Sequence, residues 1–159
     1  MRLLAIDPGD VESAALIYDT ENGAPHWWAK LPNLDLACQI HHGPAGRCER
    51  LAVEMIASYG MPVGKTVFET CVWIGRFIER WESDTARPWQ KVYRIDAKMH
   101  LCGSARAKDA NVRQALIDRY GPGKERAIGK KATPGPLYGL SGDGWAALAV
   151  AITATETSA

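Results

Sequence analysis

The stretch Leu4-Ala5-Ile6-Asp7-Pro8-Gly9 carries the main clue to the fold of this chain. Residues 2–6 are almost wholly apolar and predict a short buried strand. The Pro8-Gly9 pair then forces a turn directly after Asp7. The first carboxylate of the chain is therefore expected at the C-terminal end of a strand, at one edge of a sheet.

The pattern that follows predicts strands and helices in an α/β arrangement. Asn22-Gly23 is a strong hairpin signal between two apolar runs, so the first three strands are expected to form an antiparallel meander. From Val67 to Trp81 apolar residues recur at spacings of three and four, which is typical of an amphipathic helix. In chain order, we predict strands at 2–6, 12–19, 25–31, 51–56 and 89–95 and helices at 33–40, 67–81, 109–120 and 143–154.

Two segments of the predicted scheme stand apart from the rest. The closing helix, 143–154, is apolar nearly all round and must be buried, which places it against the sheet. Residues 121–139 contain four basic residues and, between 121 and 135, six glycines or prolines, and they predict a mobile basic loop. Residues 41–46 also predict a loop.

Composition suits one soluble domain. The chain has 159 residues, of which 47% are apolar and 23% charged, and we expect residues 1–159 to form a single domain with a sizeable core. It lacks a run of about eighteen apolar residues and its N-terminus leads directly into a strand, so neither a membrane span nor a signal peptide is expected. The four cysteines lack CxxC spacing, which favours reduced thiols and a cytoplasmic location.

Charge is distributed unevenly along the chain although its net value is only +1. Residues 87–131 contain twelve lysines and arginines against four acids, so the remainder is net acidic. A basic segment beside an acidic remainder suits a protein that presents one face to a polyanion and keeps carboxylates for a metal. An ordinary solvated charged surface is the alternative.

Two further acids occupy unusual places. Glu54 interrupts the apolar run 51–56, and a charge inside a buried strand needs a reason. Asp143 opens the closing helix, whose macrodipole favours an anion. Acids on neighbouring strands, about 4.8 Å apart, can hold Mg²⁺ or Mn²⁺ ions roughly 3.5–4 Å apart. Asp7, Glu54 and Asp143 are therefore candidate metal ligands for phosphodiester cleavage, although a turn, strand or helix-cap role stays open for each acid alone.

Three motifs, each containing one of these acids, follow one another along the chain: Leu4-Ala5-Ile6-Asp7-Pro8-Gly9, Leu51-Ala52-Val53-Glu54 and Gly142-Asp143-Gly144-Trp145-Ala146-Ala147-Leu148-Ala149. Together they resemble the RuvC-like Holliday junction resolvases of the RNase H-like superfamily over essentially the whole chain. The stretch 59–65, running into 73–77, looks like the phage-encoded branch of that family.

The resemblance implies a five-stranded mixed sheet flanked by helices, with the acids at one edge. It also implies that Asp7 bridges two metal ions, while Glu54 and Asp143 each bind one. Members of the family commonly carry a further acid at the position of Leu140. Asp109 is our candidate for a replacement fourth acid, with a helix-capping role as the alternative.

Basic and aromatic side chains complete the candidate site. Lys108 is predicted to steady the charge that builds on the scissile phosphate. Tyr59 is predicted to stack on bases at a branch point. The residues predicted to contact DNA are Tyr59, Lys98, Arg106, Lys108 and Arg113.

The sequence thus predicts a metal-dependent endonuclease that cleaves branched DNA, such as Holliday junctions, as a homodimer addressing two symmetric strands. Two alternatives remain open: an RNase H-like nuclease acting on structured RNA or RNA–DNA hybrids, and a non-catalytic junction-binding module. The stretch 60–66 resembles a Walker A motif but has three residues between its glycines where that motif needs four, so no nucleotide cofactor is predicted.

Overall fold

The computed structural model describes residues 1–83 and 87–157, and within them one central sheet carries the fold. Its strands are β1 (Arg2–Asp7), β2 (Glu12–Asp19), β3 (Ala24–Pro32), β4 (Arg50–Met55) and β5 (Trp89–Tyr93). The helices are α1 (Asn33–His42), α2 (Lys65–Glu82), α3 (Arg94–Cys102), α4 (Asp109–Tyr120), α5 (Gly123–Ala127) and α6 (Gly144–Thr157), with a short 3₁₀ helix at Pro44–Arg47. A two-strand hairpin, β6 (Gly129–Lys130) and β7 (Thr133–Pro134), lies apart from the sheet.

The strand order of the central sheet is β3-β2-β1-β4-β5. The first three strands form an antiparallel meander, while β4 and β5 run parallel to β1 and to each other. This arrangement confirms the predicted five-stranded mixed sheet flanked by helices. Because β1 and β4 are parallel neighbours, their C-terminal ends meet at the same edge of the sheet.

Alternation along the strands divides the core into two layers. Leu3 and Ala5 of β1 face the layer that contains α3, α4 and α6. Leu4 and Ile6 face the opposite layer, which contains α1 and α2. Helix α6 is buried along almost its whole length, as its apolar sequence predicted. Asp7, at the end of β1, and Glu54, near the end of β4, lie on the same face of the sheet as Leu3 and Ala5. Their side chains therefore point towards the layer that contains α6.

The structure corrects the prediction after β5 in one respect. The fifth strand ends at Tyr93 rather than at residue 95, and the chain turns at once into α3, a helix that the sequence did not predict. Residues 94–102 read R-I-D-A-K-M-H-L-C, so apolar and polar residues alternate as in a strand. Only Ala97 of this helix is fully buried, so the helical period leaves little trace in the sequence.

Residues 121–139 form more regular structure than the predicted loop. They contain α5 and the β6–β7 hairpin, and the side chains of Ala127 and Leu137 are buried in the core. Gly135 fits only because it lacks a Cβ, which would lie 2.4 Å from the Arg126 carbonyl oxygen. Residues 41–46, also predicted as a loop, hold the end of α1 and most of the 3₁₀ helix.

No helix in the described residues has the length and apolar content needed to cross a membrane.

Candidate active site

The centre of the candidate site is a pair of carboxylates on adjacent strands. Ile6 of β1 is paired with Val53 of β4, so the next residues along, Asp7 and Glu54, lie side by side. The carboxyl groups of Asp7 and Glu54 are hydrogen-bonded to each other. The Glu54 side chain is only 11% exposed, so this pair is a buried charge cluster rather than a surface feature.

Burial and mutual repulsion change the proton affinity of this pair. Burial, followed by the adjacent carboxylate of Glu54, raises the pKa of Asp7 to about 8, although the Arg94 guanidinium acts in the opposite direction. The charge of Asp143 also raises the pKa of Asp7 and therefore lies within its electrostatic range. The fold therefore holds these two carboxyl groups together at an electrostatic cost, which a bound cation would relieve.

Asp143 precedes α6 and pairs with a lysine of β3, the strand at one edge of the sheet. Its Oδ2 lies 2.7 Å from Nζ of Lys30 on β3, and both side chains are about half exposed. The Lys30 ammonium donates a hydrogen bond to this carboxylate, and the contact raises the pKa of Lys30. Asp143 thus lies at the N-terminus of α6, where the sequence predicted it, but already has a cationic partner.

A cavity of about 120 Å³ brings the predicted acids together between β4, α3, α4 and α6. Glu54, Asp109 and Asp143 all line it, although they come from distant parts of the chain. Lys108, rather than Asp109, is the residue immediately before α4, so Asp109 is not the cap of this helix. Leu140, at the position where the resemblance implies a fourth acid, is buried in the core beside α6.

A second basic side chain, Arg94, contacts Glu54. Its Nε lies 3.0 Å from Oε1 of Glu54. Burial acts to lower the pKa of Arg94, but the carboxylates of Glu54, Asp109 and Asp7 together raise it. A single guanidinium therefore neutralises part of the charge of three acids from β1, β4 and α4.

A second, wider groove of about 500 Å³ adjoins the cavity and shares Glu54, Arg94 and Lys98 with it. Tyr59 lines this groove and is 63% exposed. The backbone of Tyr59 has φ of +46°, a left-handed conformation that is uncommon for a residue with a side chain. Backbone strain of this kind concentrates at functional sites, and here it presents an aromatic ring beside the acids.

The predicted DNA-contacting basic residues fall into two groups. Lys98 and Arg113 line the acid cavity, and the Arg113 guanidinium lies over the ring of Trp145, 4.9 Å from its centroid. Arg106 and Lys108 are exposed on or beside the α3–α4 connection and line neither the cavity nor the groove. The structure therefore brings Lys98 and Arg113 to the acids and leaves the other two at the periphery.

In the parts of the chain that the structure describes, no three His, Cys, Asp or Glu side chains converge closely enough to hold a metal ion. Asp7 and Glu54 are in contact, but Asp143 is drawn towards Lys30. The predicted three-carboxylate set is therefore present in one region without being assembled around one point.

Two residues of the site, Lys30 and Arg94, were not predicted from the sequence. Lys30 lies in a meander strand whose partners are fixed only by the register of the sheet. Arg94 begins the helix that the alternating pattern concealed. One signal was available for Arg94, since it lies near the end of the predicted strand 89–95, and this strand pairs with the strand carrying Glu54.

Solved structures share this fold. RuvC from Thermus thermophilus is similar with a TM-score of 0.65 and 17% identity, over 96% of this chain and 92% of that one. The same T. thermophilus protein in complex with a Holliday junction substrate gives a TM-score of 0.67 and 15% identity, over 96% and 92% of the two chains. A Fowlpox virus resolvase in complex with Holliday junction DNA gives 0.54 and 13%, over 99% and 98%. The expected RuvC-like, RNase H-like fold is thereby confirmed.

No protein-family model and no curated protein matches the sequence.

Proposed function

We propose that this protein is a metal-dependent endonuclease that cleaves branched DNA such as Holliday junctions. The observation that carries the proposal is the contact between Asp7 and Glu54 at the shared end of β1 and β4, with Asp109 and Asp143 at the same cavity. Carboxylates that repel one another are unfavourable for folding when they are buried side by side, as Asp7 and Glu54 are, and such a pair beside a cavity is typical of a functional site. The likeness in fold to proteins solved with junction DNA supports the choice of substrate.

The donor set fits a hard divalent cation. Carboxylate oxygens are the ligands that Mg²⁺ and Mn²⁺ prefer, and the hydrogen-bonded pair of Asp7 and Glu54 offers two of them side by side. Asp143 would complete the set after leaving Lys30, and Asp109 is the nearest candidate for a fourth acid. When bound, such ions activate a water molecule and stabilise the charge on the phosphate under attack.

The remaining groups of the site bind and orient the nucleic acid. Lys98 and Arg113 line the acid cavity, so they would hold the phosphates on either side of the scissile bond. Arg106 and Lys108 lie further out, and we assign them to more distant phosphates rather than to the reacting group. Tyr59 projects beside the groove, where an unstacked base at a branch point would lie on its ring.

Two copies of the chain would serve a four-way junction. A symmetric junction presents two equivalent strands, and a two-fold dimer presents two equivalent active sites. Helix α2 offers an apolar outer face for such a contact, because Phe68 and Val72 are four residues apart and about 60% exposed. We therefore propose a homodimer that forms through α2.

The test is cleavage of a synthetic four-way junction by the purified protein with Mg²⁺, with products mapped to the nucleotide. We expect paired nicks at symmetric positions near the crossover. Linear duplex of the same sequence should be cut at least about a hundredfold more slowly, since it lacks the branch. A flap, an RNA–DNA hybrid and a structured RNA complete the panel, and preferential cleavage of either RNA substrate would overturn the assignment to DNA.

The control is Asp7→Asn, which keeps the size of the side chain and removes its charge. Cleavage should fall by at least about 10³-fold, comparable with the loss of a principal catalytic group, while junction binding stays within about threefold of wild type. Junction binding with no cleavage by the wild type in either Mg²⁺ or Mn²⁺ would favour a non-catalytic module.

A further inference from the structure

Two basic side chains already hold carboxylates that the proposed function assigns to metal. Lys30 Nζ lies 2.7 Å from Oδ2 of Asp143, and Arg94 Nε lies 3.0 Å from Oε1 of Glu54. Each of these basic groups thus contacts a carboxylate oxygen that could otherwise bind a metal ion. The contact of Lys30 is the more informative one, because β3, which carries Lys30, contributes no residue to the lining of the cavity.

The register of the sheet places Lys30 in line with the acids. Lys30 on β3 is paired with Ala14 on β2, and Ala14 is paired with Asp7 on β1. Glu54 on β4 continues the row, since the residues before it and before Asp7 are paired. Trp28, two residues before Lys30, packs against the α6 layer, so the alternation of β3 directs Lys30 to the face of Asp7 and Glu54.

The small side chain between Lys30 and the acids opens this route. Ala14 is buried and offers only a methyl group, so nothing large on β2 separates the Lys30 side chain from the start of α6. The Lys30 ammonium ends on Asp143, directly before this helix.

Basic side chains already offset much of the negative charge of the site. Lys30, Arg94, Lys98 and Arg113 lie among Asp7, Glu54, Asp109 and Asp143. A divalent cation entering such a set gains less from the carboxylates than it would in a site without these bases. Ligation of that cation through Oδ2 of Asp143 requires that its contact with Lys30 be broken.

We propose that Lys30 is an internal competitor of the metal ion, an ammonium group that occupies Asp143 in the metal-free protein and weakens its affinity for divalent cations. This inference rests on the proposed function, because it takes Asp143 as a metal ligand. Lys30 acts through Asp143 and is therefore a positioning residue. Its side chain is half exposed, so the released ammonium returns to water at little cost.

The test is a calorimetric titration of Mn²⁺ into the wild type and into Lys30→Gln, without nucleic acid. Removing the competing charge should tighten Mn²⁺ binding by about three- to tenfold, the range expected when a partly exposed ion pair no longer has to be broken. Lys30→Arg keeps the charge and should restore an affinity close to that of the wild type. Lys124→Gln removes an exposed lysine on α5, outside the acid cavity, and should leave the affinity unchanged.

Failure of this inference and failure of the proposed function give different results. One outcome is that Asp7→Asn weakens Mn²⁺ binding, but Lys30→Gln binds Mn²⁺ as well as the wild type or more weakly. Lys30 is then not a competitor, and the inference is overturned while the proposed metal site stands. If Asp7→Asn binds Mn²⁺ as the wild type does, or no variant binds it, the proposed metal site fails and the inference falls with it.

A second readout guards against an effect of Lys30→Gln on folding. Thermal unfolding in a chelator reports whether the variant is folded, and saturating Mn²⁺ should then raise its midpoint by more than it raises that of the wild type. An equal rise in both proteins would overturn the inference.

Discussion

Asp7 is the residue whose environment differs most from that of an ordinary carboxyl group. Burial, and then Glu54, raises its pKa from 3.8 to about 8. The folded protein therefore keeps a proton on Asp7 at pH values where the unfolded chain has lost it. The contribution of this group to stability is fully present below about pH 4, declines as the pH rises towards 8, and is lost above that value.

The prediction at this scale concerns Asp7→Asn in the absence of metal. Asparagine cannot ionise, so the variant escapes the loss of stability at high pH. At pH 8.5 we expect it to be more stable than the wild type by at least about 2 kcal/mol. Each tenfold change in proton affinity corresponds to about 1.4 kcal/mol and the raised pKa of Asp7 spans about four such steps, from which the hydrogen bonding that asparagine loses must be subtracted. For a chain of this length, 2 kcal/mol is a rise in melting temperature of about 4–8 °C. Thermal unfolding in a chelator between pH 4 and 8.5 measures it.

A matched carboxylate separates this effect from general charge removal. Asp35 is exposed on α1, away from the acids, and Asp35→Asn serves as the control. The advantage of Asp7→Asn over this control should disappear near pH 4. An advantage of the same size at both pH values, or a variant that is less stable than the wild type at pH 8.5, would contradict the assigned cause.

Residue by residue, the sequence predicted the acids of the site better than its bases. Asp7 and Glu54 follow or interrupt apolar strands, and such positions can be recognised without a structure. Lys30 cannot be recognised in that way, because its relation to Asp7 passes through the pairing of three strands. Pairing register depends on contacts between distant segments, and local patterns do not contain it.

At the scale of elements, α2 is the helix with the most conspicuous unpaired surface. Its inner side packs on the sheet through Ile74, Phe77 and Trp81. Its outer side exposes Phe68 and Val72, one turn apart. Burying two such side chains against a second copy would contribute several kcal/mol to dimer stability.

The prediction for this element is that Phe68→Glu combined with Val72→Glu weakens the proposed dimer by at least about a hundredfold. The reason is that association would bury two charges in place of two apolar side chains. Light scattering at several protein concentrations gives the mass directly. Leu34→Glu removes an exposed apolar side chain from α1 and should leave the mass unchanged. A double variant that dimerises like the wild type would exclude this face of α2.

The helices also show where local sequence is sufficient. Helix α2 was predicted within two residues at each end because its apolar residues recur with the helical period and face a sheet. Helix α3 was missed, because apolar and polar residues alternate along it as they do in a strand. Only Ala97 is buried, and Leu101 and Cys102 are partly buried, so few residues carry the helical period. A short helix that covers the edge of a core is specified mainly by its surroundings.

For the whole molecule, the decisive property is where the basic segment of the chain lies. Residues 87–131 contain a surplus of basic residues, and three of them, Arg94, Lys98 and Arg113, line the acid cavity. Arg94 is already paired with Glu54, which leaves Lys98 and Arg113 for phosphates. Phosphate contacts release counterions from DNA, so each one makes binding more sensitive to salt. If this face binds the junction, the logarithm of the affinity should fall steeply and linearly with the logarithm of the salt concentration.

The prediction is that Lys98→Gln combined with Arg113→Gln reduces this slope by about two, because roughly one unit is lost for each phosphate contact removed. Junction binding in a chelator, followed by fluorescence anisotropy between about 50 and 200 mM salt, avoids cleavage during the measurement. Arg47→Gln removes an exposed arginine on the 3₁₀ helix, which packs in the opposite layer, and should leave the slope unchanged. Equal slopes for the double variant and the wild type would exclude the acid cavity as the place where the phosphates bind, since Lys98 and Arg113 would then contribute no contact. A slope that fell equally with Arg47→Gln would mean that the protein binds DNA by its overall charge, without a defined face.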